Sequence, residues 1–461
     1  MSRAPGTGTL AAPPPHRAPG PRGAPLLGSM LDLKRRGQVR FYLENWRAYG
    51  DIVRFRLGPL VAHILAHPDH IYYVLASNAQ NYSKGPGYAK AQQVIGNGLL
   101  TSEGDLWRRQ RRLMQPPFTY RSVLQLTGEM SEAIEAMLRR WQTVAESGAV
   151  LVVNQEMARL ALTIIGKTIF STDLEDRVRP ILKATLEATS FVNRRLASFF
   201  DIPLIIPTPA NRRFKNAVRT FDMVVYQLIE ARRRQDHESP DLLDRLLSAH
   251  DDETGVAMND RQIRDEIMTM LLAGHETSAV ALTWTWYLLA RHPEVEARLH
   301  TELAAALGGR IPDVADLAAL PYTRMVVQEA MRLYPPVWTF PRAAIGDDEI
   351  GGYHIPAGSL IFPSQYLTHR HPDFWEHPEL FDPERFTSER SEKRAHYAYY
   401  PFGGGQRTCI GIHFAMVEVC LVLAMVAQRY YLRLLPGPPI EPVSMVTLHP
   451  SHDLLMTLEV R

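Results

Sequence analysis

The stretch Pro401–Gly411, PFGGGQRTCIG, decides how the rest of this chain is read, because it holds Cys409 and leads into a helix-like apolar run. A thiolate binds soft or borderline metals, and glycines beside an arginine suit a backbone that wraps an anionic site. Cys409 is therefore a candidate metal ligand. Cys420 is the only other cysteine in the sequence and reads as a buried thiol on the following helix.

That cysteine count reaches further. Two thiols on one loop and its helix give no disulfide framework, which favours a reducing compartment, and they fall short of the four thiolates of most iron–sulfur clusters. The 461 residues are 46% hydrophobic and 22% charged, enough to bury a large core, and the formal net charge of +2 gives no reason to expect nucleic acid or an acidic membrane as partner. No secretory leader and no run of about 20 apolar residues is visible, so the expectation is a cytoplasmic protein without a membrane span.

Upstream of the loop, residues 260–290 carry the longest helical pattern, interrupted by the small and polar run Ala273-Gly274-His275-Glu276-Thr277. A glycine inside a helix costs about 1 kcal/mol relative to alanine, so a local reason is required. Either Gly274 lets a flat ligand approach the backbone, with Thr277 and Glu276 offering a hydroxyl and a carboxylate, or another helix crosses there and Thr277 bonds back to its own carbonyls. Pro321 opens a helix carrying Glu329 and Arg332, which at a spacing of three share a face. Their flanks (VVQEAMRLYPP) are apolar, so the pair needs further partners, and Arg385 is a candidate.

Toward the N-terminus, Gly104–Gln115 (GDLWRRQRRLMQ) reads as a helix with Trp107 and Arg111 on one face. Its Arg108, Arg109 and Arg112 form either a solvated basic surface or a docking patch. Periodic stretches at 121–147, 151–170, 176–197 and 211–235 make the protein mostly helical. Asp51–Phe55 and Leu60–Ala66 predict a hairpin, and Arg342–Thr368 predicts a small sheet. Lys84–Leu100 reads as a loop, Phe199–Pro209 (FFDIPLIIPTP) as a hydrophobic lid or plain core contact, Met445–Leu455 as strand, and the proline- and glycine-rich residues 1–25 as a loose arm.

Taken together, four motifs in one order resemble the cytochrome P-450 superfamily of haem-thiolate enzymes. Phe402, Gly405, Arg407, Cys409 and Gly411 fit its F-x-x-G-x-R-x-C-x-G loop at every defined position; Glu329 and Arg332 fit E-x-x-R; Ala273, Gly274, Glu276 and Thr277 fit A/G-G-x-D/E-T; Trp107 and Arg111 fit W-x-x-x-R. The resemblance implies a mainly α fold with a small β-rich region, one triangular catalytic domain over residues 26–461, replacing the two or three domains that length alone suggests.

The resemblance also assigns roles. Cys409 would ligate the iron of a non-covalently held haem b, Phe402 would shield the thiolate, and Arg407, Trp107, Arg111 and Arg342 would hold the propionates. Gly274 would open the groove for dioxygen, and Thr277 with Glu276 would relay protons. Glu329, Arg332 and Arg385 look structural. The substrate, an apolar terpenoid, fatty-acid or polyketide-like molecule of secondary metabolism, would meet Met268, Leu272, Ala273, Val337, Trp338 and Phe340. Electrons would come from a separate ferredoxin or flavodoxin with its reductase, steered by the basic helix to a monomeric protein. The competing readings are a peroxide-driven peroxygenase or isomerase and a haem-binding sensor without enzymatic activity.

Overall fold

The computed structural model describes residues 16–172, 175–196, 202–234, 241–248, 255 and 257–461. Its axis is the helix Asp260–Arg291, started by a capping box in which Asn259 and Gln262 satisfy each other's backbone amides. Nearly every side chain from Ile263 to Leu289 is buried, as a helix packed on all sides requires. The helices Val153–Phe170, Pro209–Arg233, Pro321–Leu333 and Ile412–Ala427 pack around it. Trp284 of the long helix stacks on Tyr334 with ring centroids 3.9 Å apart.

The expected helices occur as Gly104–Met114, Thr127–Ser147, Val153–Phe170, Glu175–Leu196 and Pro209–Arg233. The hairpin is formed by Ile52–Leu57 and Leu60–Leu65, paired antiparallel with Leu57 opposite Leu60. It belongs to a five-stranded sheet completed in order by Leu360–Pro363, Arg342–Ala344 and Tyr82–Ser83. A three-stranded sheet joins Leu151–Val152, Leu455–Val460 and Tyr430–Leu434. Among the described residues, no helix is long and apolar enough to cross a membrane.

Three local expectations change. Lys84–Leu100 contains a helix, Gly87–Ile95, that follows Pro86 and ends at Gly96 with φ +68°; its apolar face amounts to little more than Val94 and Ile95, too short to show a period. Met445–Leu455 is divided between the strands Leu448–Pro450 and Leu455–Val460. Of the proline-rich arm, residues 1–15 lie outside the described residues, but the stretch around Ala18–Pro21 is packed while 22–25 are exposed. Ala18 is buried in an apolar cluster, Arg54 N–H donates to the Pro19 carbonyl at 2.7 Å, and His16 bridges to Tyr353. Residues 199–201 of FFDIPLIIPTP also lie outside the description. In the remainder Leu204 packs against the main core while Ile202, Ile205 and Ile206 are exposed.

Candidate active site

The glycines of the cysteine loop answer to specific crowding. Gly405 has φ +65°, and a Cβ there would stand 2.0 Å from the Leu75 carbonyl oxygen. Its N–H donates to Tyr397 Oη at 2.8 Å, and Cys409 N–H donates to the Phe402 carbonyl at 2.8 Å. These bonds fix the loop immediately before the helix Ile412–Ala427. Burial pushes the Cys409 thiol up from the ordinary cysteine range, opposed by the Gly411 N–H and by Arg111. The residue nevertheless remains accessible amid dense surroundings.

On the long helix, exposure is confined to one place. Between Ile263 and Leu289 the residues that escape full burial are Leu272, Ala273, Gly274, Glu276 and Thr277. Thr277 Oγ1 donates to the Ala273 carbonyl at 2.6 Å. Glu276 Oε1 accepts from Thr447 Oγ1 at 2.8 Å and lies 3.1 Å from His449 Nε2. A Cβ on Gly274 would lie 2.6 Å from Ile165 Cδ1, so this glycine admits the helix Val153–Phe170. Close helix packing is thus one reason for its small size.

A third group gathers cations. Lys84 Nζ and Arg407 Nη1 both donate to the Ser102 carbonyl, at 2.9 and 3.1 Å, and Lys84 also reaches the Leu99 and Leu100 carbonyls. Arg407 lies 4.4 Å over the Trp107 ring, and Arg111 Nη1 donates to the Thr408 carbonyl at 2.9 Å. Arg342 is buried at the start of its strand, with Nη1 on the Pro341 carbonyl at 2.9 Å. Burial, then the charges of Arg407 and Arg342, push Lys84 down to about 6, with Glu103 and Glu266 opposing weakly. So crowded a set of cations suits an added pair of carboxylates.

The structural trio is a buried network. Arg332 forms a bidentate pair with Glu329 at 2.6 and 2.7 Å and donates to the His369, Pro378 and Leu380 carbonyls. Arg385 Nε lies 3.4 Å from Glu329 Oε1, and Asp382 N–H donates to the same oxygen at 2.9 Å.

The expected substrate contacts divide. Leu272 and Ala273 belong to the exposed stretch and Val337 is half-buried, but Met268 is fully buried in the main core. There Gly98 closes over the same helix at Thr269. Trp338 packs on Tyr42, ring centroids 5.2 Å apart, in the cluster behind the five-stranded sheet. Phe340 stands against Gly403 of the cysteine loop. Residues 197–201 lie outside the description, and the segment after Val446 brings Thr447 and His449 to Glu276. Lys84, Thr447 and His449 carry no motif. Their positions depend on partners far away in sequence.

The architecture and this arrangement belong to the haem-thiolate monooxygenases, and the comparisons agree. The cytochrome P-450 family model matches residues 18–456, and the chain belongs to that family. It is 38% identical to cyclooctatin synthase of Streptomyces melanosporofaciens, over 93% of this chain and 92% of that one. It is 36% identical to cyclooctat-9-en-7-ol 5-monooxygenase of the same organism, over 94% of each, and 33% identical to pentalenene oxygenase of Streptomyces avermitilis, over 96% and 97%. The solved cytochrome P-450DA heme domain superposes with a TM-score of 0.89 at 27% identity, covering 97% of this chain and 98% of that one. The protein is thus a cytochrome P-450 monooxygenase that binds haem b through a cysteine thiolate and acts on an apolar small molecule with dioxygen and a redox partner. The cation cluster matches the two propionates of that group, and the exposed but enclosed thiol matches its iron.

Proposed function

We propose that Cys409 is the thiolate ligand and that the chain oxidises a terpenoid in cytoplasmic secondary metabolism. The observation that carries the site assignment is the enclosed, exposed thiol on a loop braced by Tyr397 and Phe402. The names of the three relatives and the apolar edge at Leu272 and Ala273 support the substrate class.

When bound, the haem supplies dioxygen activation and insertion of one oxygen atom into the substrate. The chain supplies orientation, charge balance and protons. Arg342, Arg407, Arg111 and Trp107 would hold the propionates, with Arg407 lying over the Trp107 ring. Phe402 covers the sulfur side, and the Gly411 amide and Arg111 favour the thiolate. Thr277, anchored on the Ala273 carbonyl, holds a hydroxyl within the exposed stretch and passes protons there, with Glu276 as their source. Glu329, Arg332 and Arg385 are structural. Exclusion of water by the apolar wall keeps the delivered protons few.

Electrons arrive from a ferredoxin or flavodoxin at the outer side of the cysteine loop, where a groove of about 430 Å³ is lined by Tyr120, Tyr397, Tyr399, Phe402, Met416 and Cys420. The exposed Arg108 and Arg112 steer an acidic partner toward a monomeric protein.

Reduced protein under carbon monoxide is expected to show the red-shifted Soret band of thiolate-ligated haem, and Cys409→His to abolish it. Retention of the band in Cys409→His would assign the ligand elsewhere. With the haem in place, Thr277→Ala is expected to lower product formed per electron by roughly tenfold to hundredfold, the balance appearing as peroxide; unchanged coupling would remove Thr277 from proton transfer.

A further inference from the structure

We infer that His449, with Thr447, delivers protons to Glu276 from outside the protein, which rests on the reading of Glu276 and Thr277 above. Thr447 and His449 flank Leu448 at the start of the strand Leu448–Pro450, so their side chains point to one face while Leu448 points to the other. Leu448 is fully buried and fixed at both backbone groups: its N–H donates to the Pro336 carbonyl at 2.9 Å, and its carbonyl accepts Trp284 Nε1 at 2.7 Å. Trp284 and Glu276 lie on the same long helix. The strand is therefore clamped to that helix beside the carboxylate it serves.

The polar contact is a triangle. Glu276 Oε1, Thr447 Oγ1 and His449 Nε2 are mutually 2.8, 2.8 and 3.1 Å apart. The His449 side chain is 28% exposed and that of Glu276 only 12%, so the imidazole stands between solvent and the carboxylate. Burial by itself raises the Glu276 carboxyl, but His449 and Thr447 more than offset it and hold the group below the ordinary carboxylate range. The other titratable neighbour is His275 of the same helix, which burial holds below the ordinary imidazole range. His449 is the proton carrier the site offers.

Adjacent residues on a helix do not share a face. Glu276 accordingly faces the strand while Thr277 bonds back to Ala273. Transfer breaks the Nε2–H bond of His449 and forms an O–H bond on Glu276 Oε1, while Nδ1 of the same ring takes up a proton from solvent, so that Glu276 becomes a carboxylic acid and the ring gains no net charge. The neutral acid is then free to turn toward Thr277. His449 acts through Glu276 and is a positioning residue.

The test uses the full haem-loaded chain with isotope-labelled glutamate carboxyl groups, observed by infrared spectroscopy in the resting state. At pH 7 the wild type should show Glu276 as a carboxylate, whereas His449→Leu should show a new protonated-carboxyl band that disappears when Glu276→Gln is added. Product per electron should fall about tenfold in His449→Leu and His449→Gln, with the carbon monoxide band unchanged, and recover in part in His449→Lys. Thr447→Val, a milder change, should weaken the carboxylate band without abolishing it. An identical infrared spectrum in the His449 and Thr447 variants overturns the pairing. Unchanged coupling in the His449 variants beside impaired coupling in Thr277→Ala overturns the relay through His449 and leaves Thr277 in place; unchanged coupling in all of them removes both.

Discussion

Glu418 stands on the helix that follows the cysteine loop, fully enclosed, where Ser278 Oγ of the long helix donates to it at 2.5 Å. Burial pushes its carboxyl up to about 8, with Ser278 opposing. The folded protein therefore keeps a proton that the unfolded chain releases near 4.5, and stability is lost as pH rises from that value through about 8. Glu418→Gln preserves the bond to Ser278 without the titration. It is expected to match the wild type in denaturant midpoint at pH 5 and to exceed it at pH 8, by at most about 5 kcal/mol. Equal differences at the two pH values would mean that Glu418 is already ionised. At this scale the sequence is legible where the requirement is local. Phe402, Gly405 and Cys409 lie within eight positions, and the Cys409 amide closes the loop on the Phe402 carbonyl, although what crowds Gly405 is Leu75, far away in sequence. Lys84 and His449 are invisible for the opposite reason: their charges matter only beside Arg407 and Glu276, which the fold brings to them. The segment of Trp338 is identifiable in the sequence, but its packing on Tyr42 is not.

At the scale of the element, Gly274 ties the long helix to Val153–Phe170. A methyl group there meets the far end of Ile165, a flexible side chain, so Gly274→Ala should cost about 1–2 kcal/mol despite its gain in helix propensity. Ile165→Val shortens the obstructing side chain, and the double variant should recover at least half of that loss in equilibrium unfolding. Additive effects would place the strain elsewhere. The helix itself was readable from its long period, whereas its Asn259 capping box emerges from the structure. The short helix Gly87–Ile95 was not: nine residues with two apolar anchors give periodicity little to work on.

For the molecule as a whole, the network of Glu329, Arg332 and Arg385 joins the helix Pro321–Leu333 to the chain near His369, Pro378 and Leu380, well before the cysteine loop. Glu329→Gln leaves two buried guanidinium groups without their carboxylate and should cost about 3–5 kcal/mol. Adding Arg332→Met should cost less than the first change alone, measured by unfolding and by retained haem, because the stranded charge goes with it. A larger loss in the double variant would mean that the carbonyl bonds of Arg332, and not charge balance, dominate. The mostly helical plan with a small sheet was legible from periodicity and motif order. The pairing of sheet strands was not, since Leu60–Leu65 lies parallel to Leu360–Pro363, three hundred positions away.

The proline-rich strap has a meaning its composition concealed. The strand Ile52–Leu57 is the outer one of the five-stranded sheet, and its free edge is partly occupied: Arg54 N–H by Pro19, the Arg56 carbonyl by the Ser29 amide, and Leu57 by a bridge to Gly28. Pro19 and Pro21 have no N–H to offer in turn. The sheet thus ends in a segment that exchanges hydrogen bonds with it and offers few further amides, so the residues that looked least like structure shield its edge against edge-to-edge aggregation.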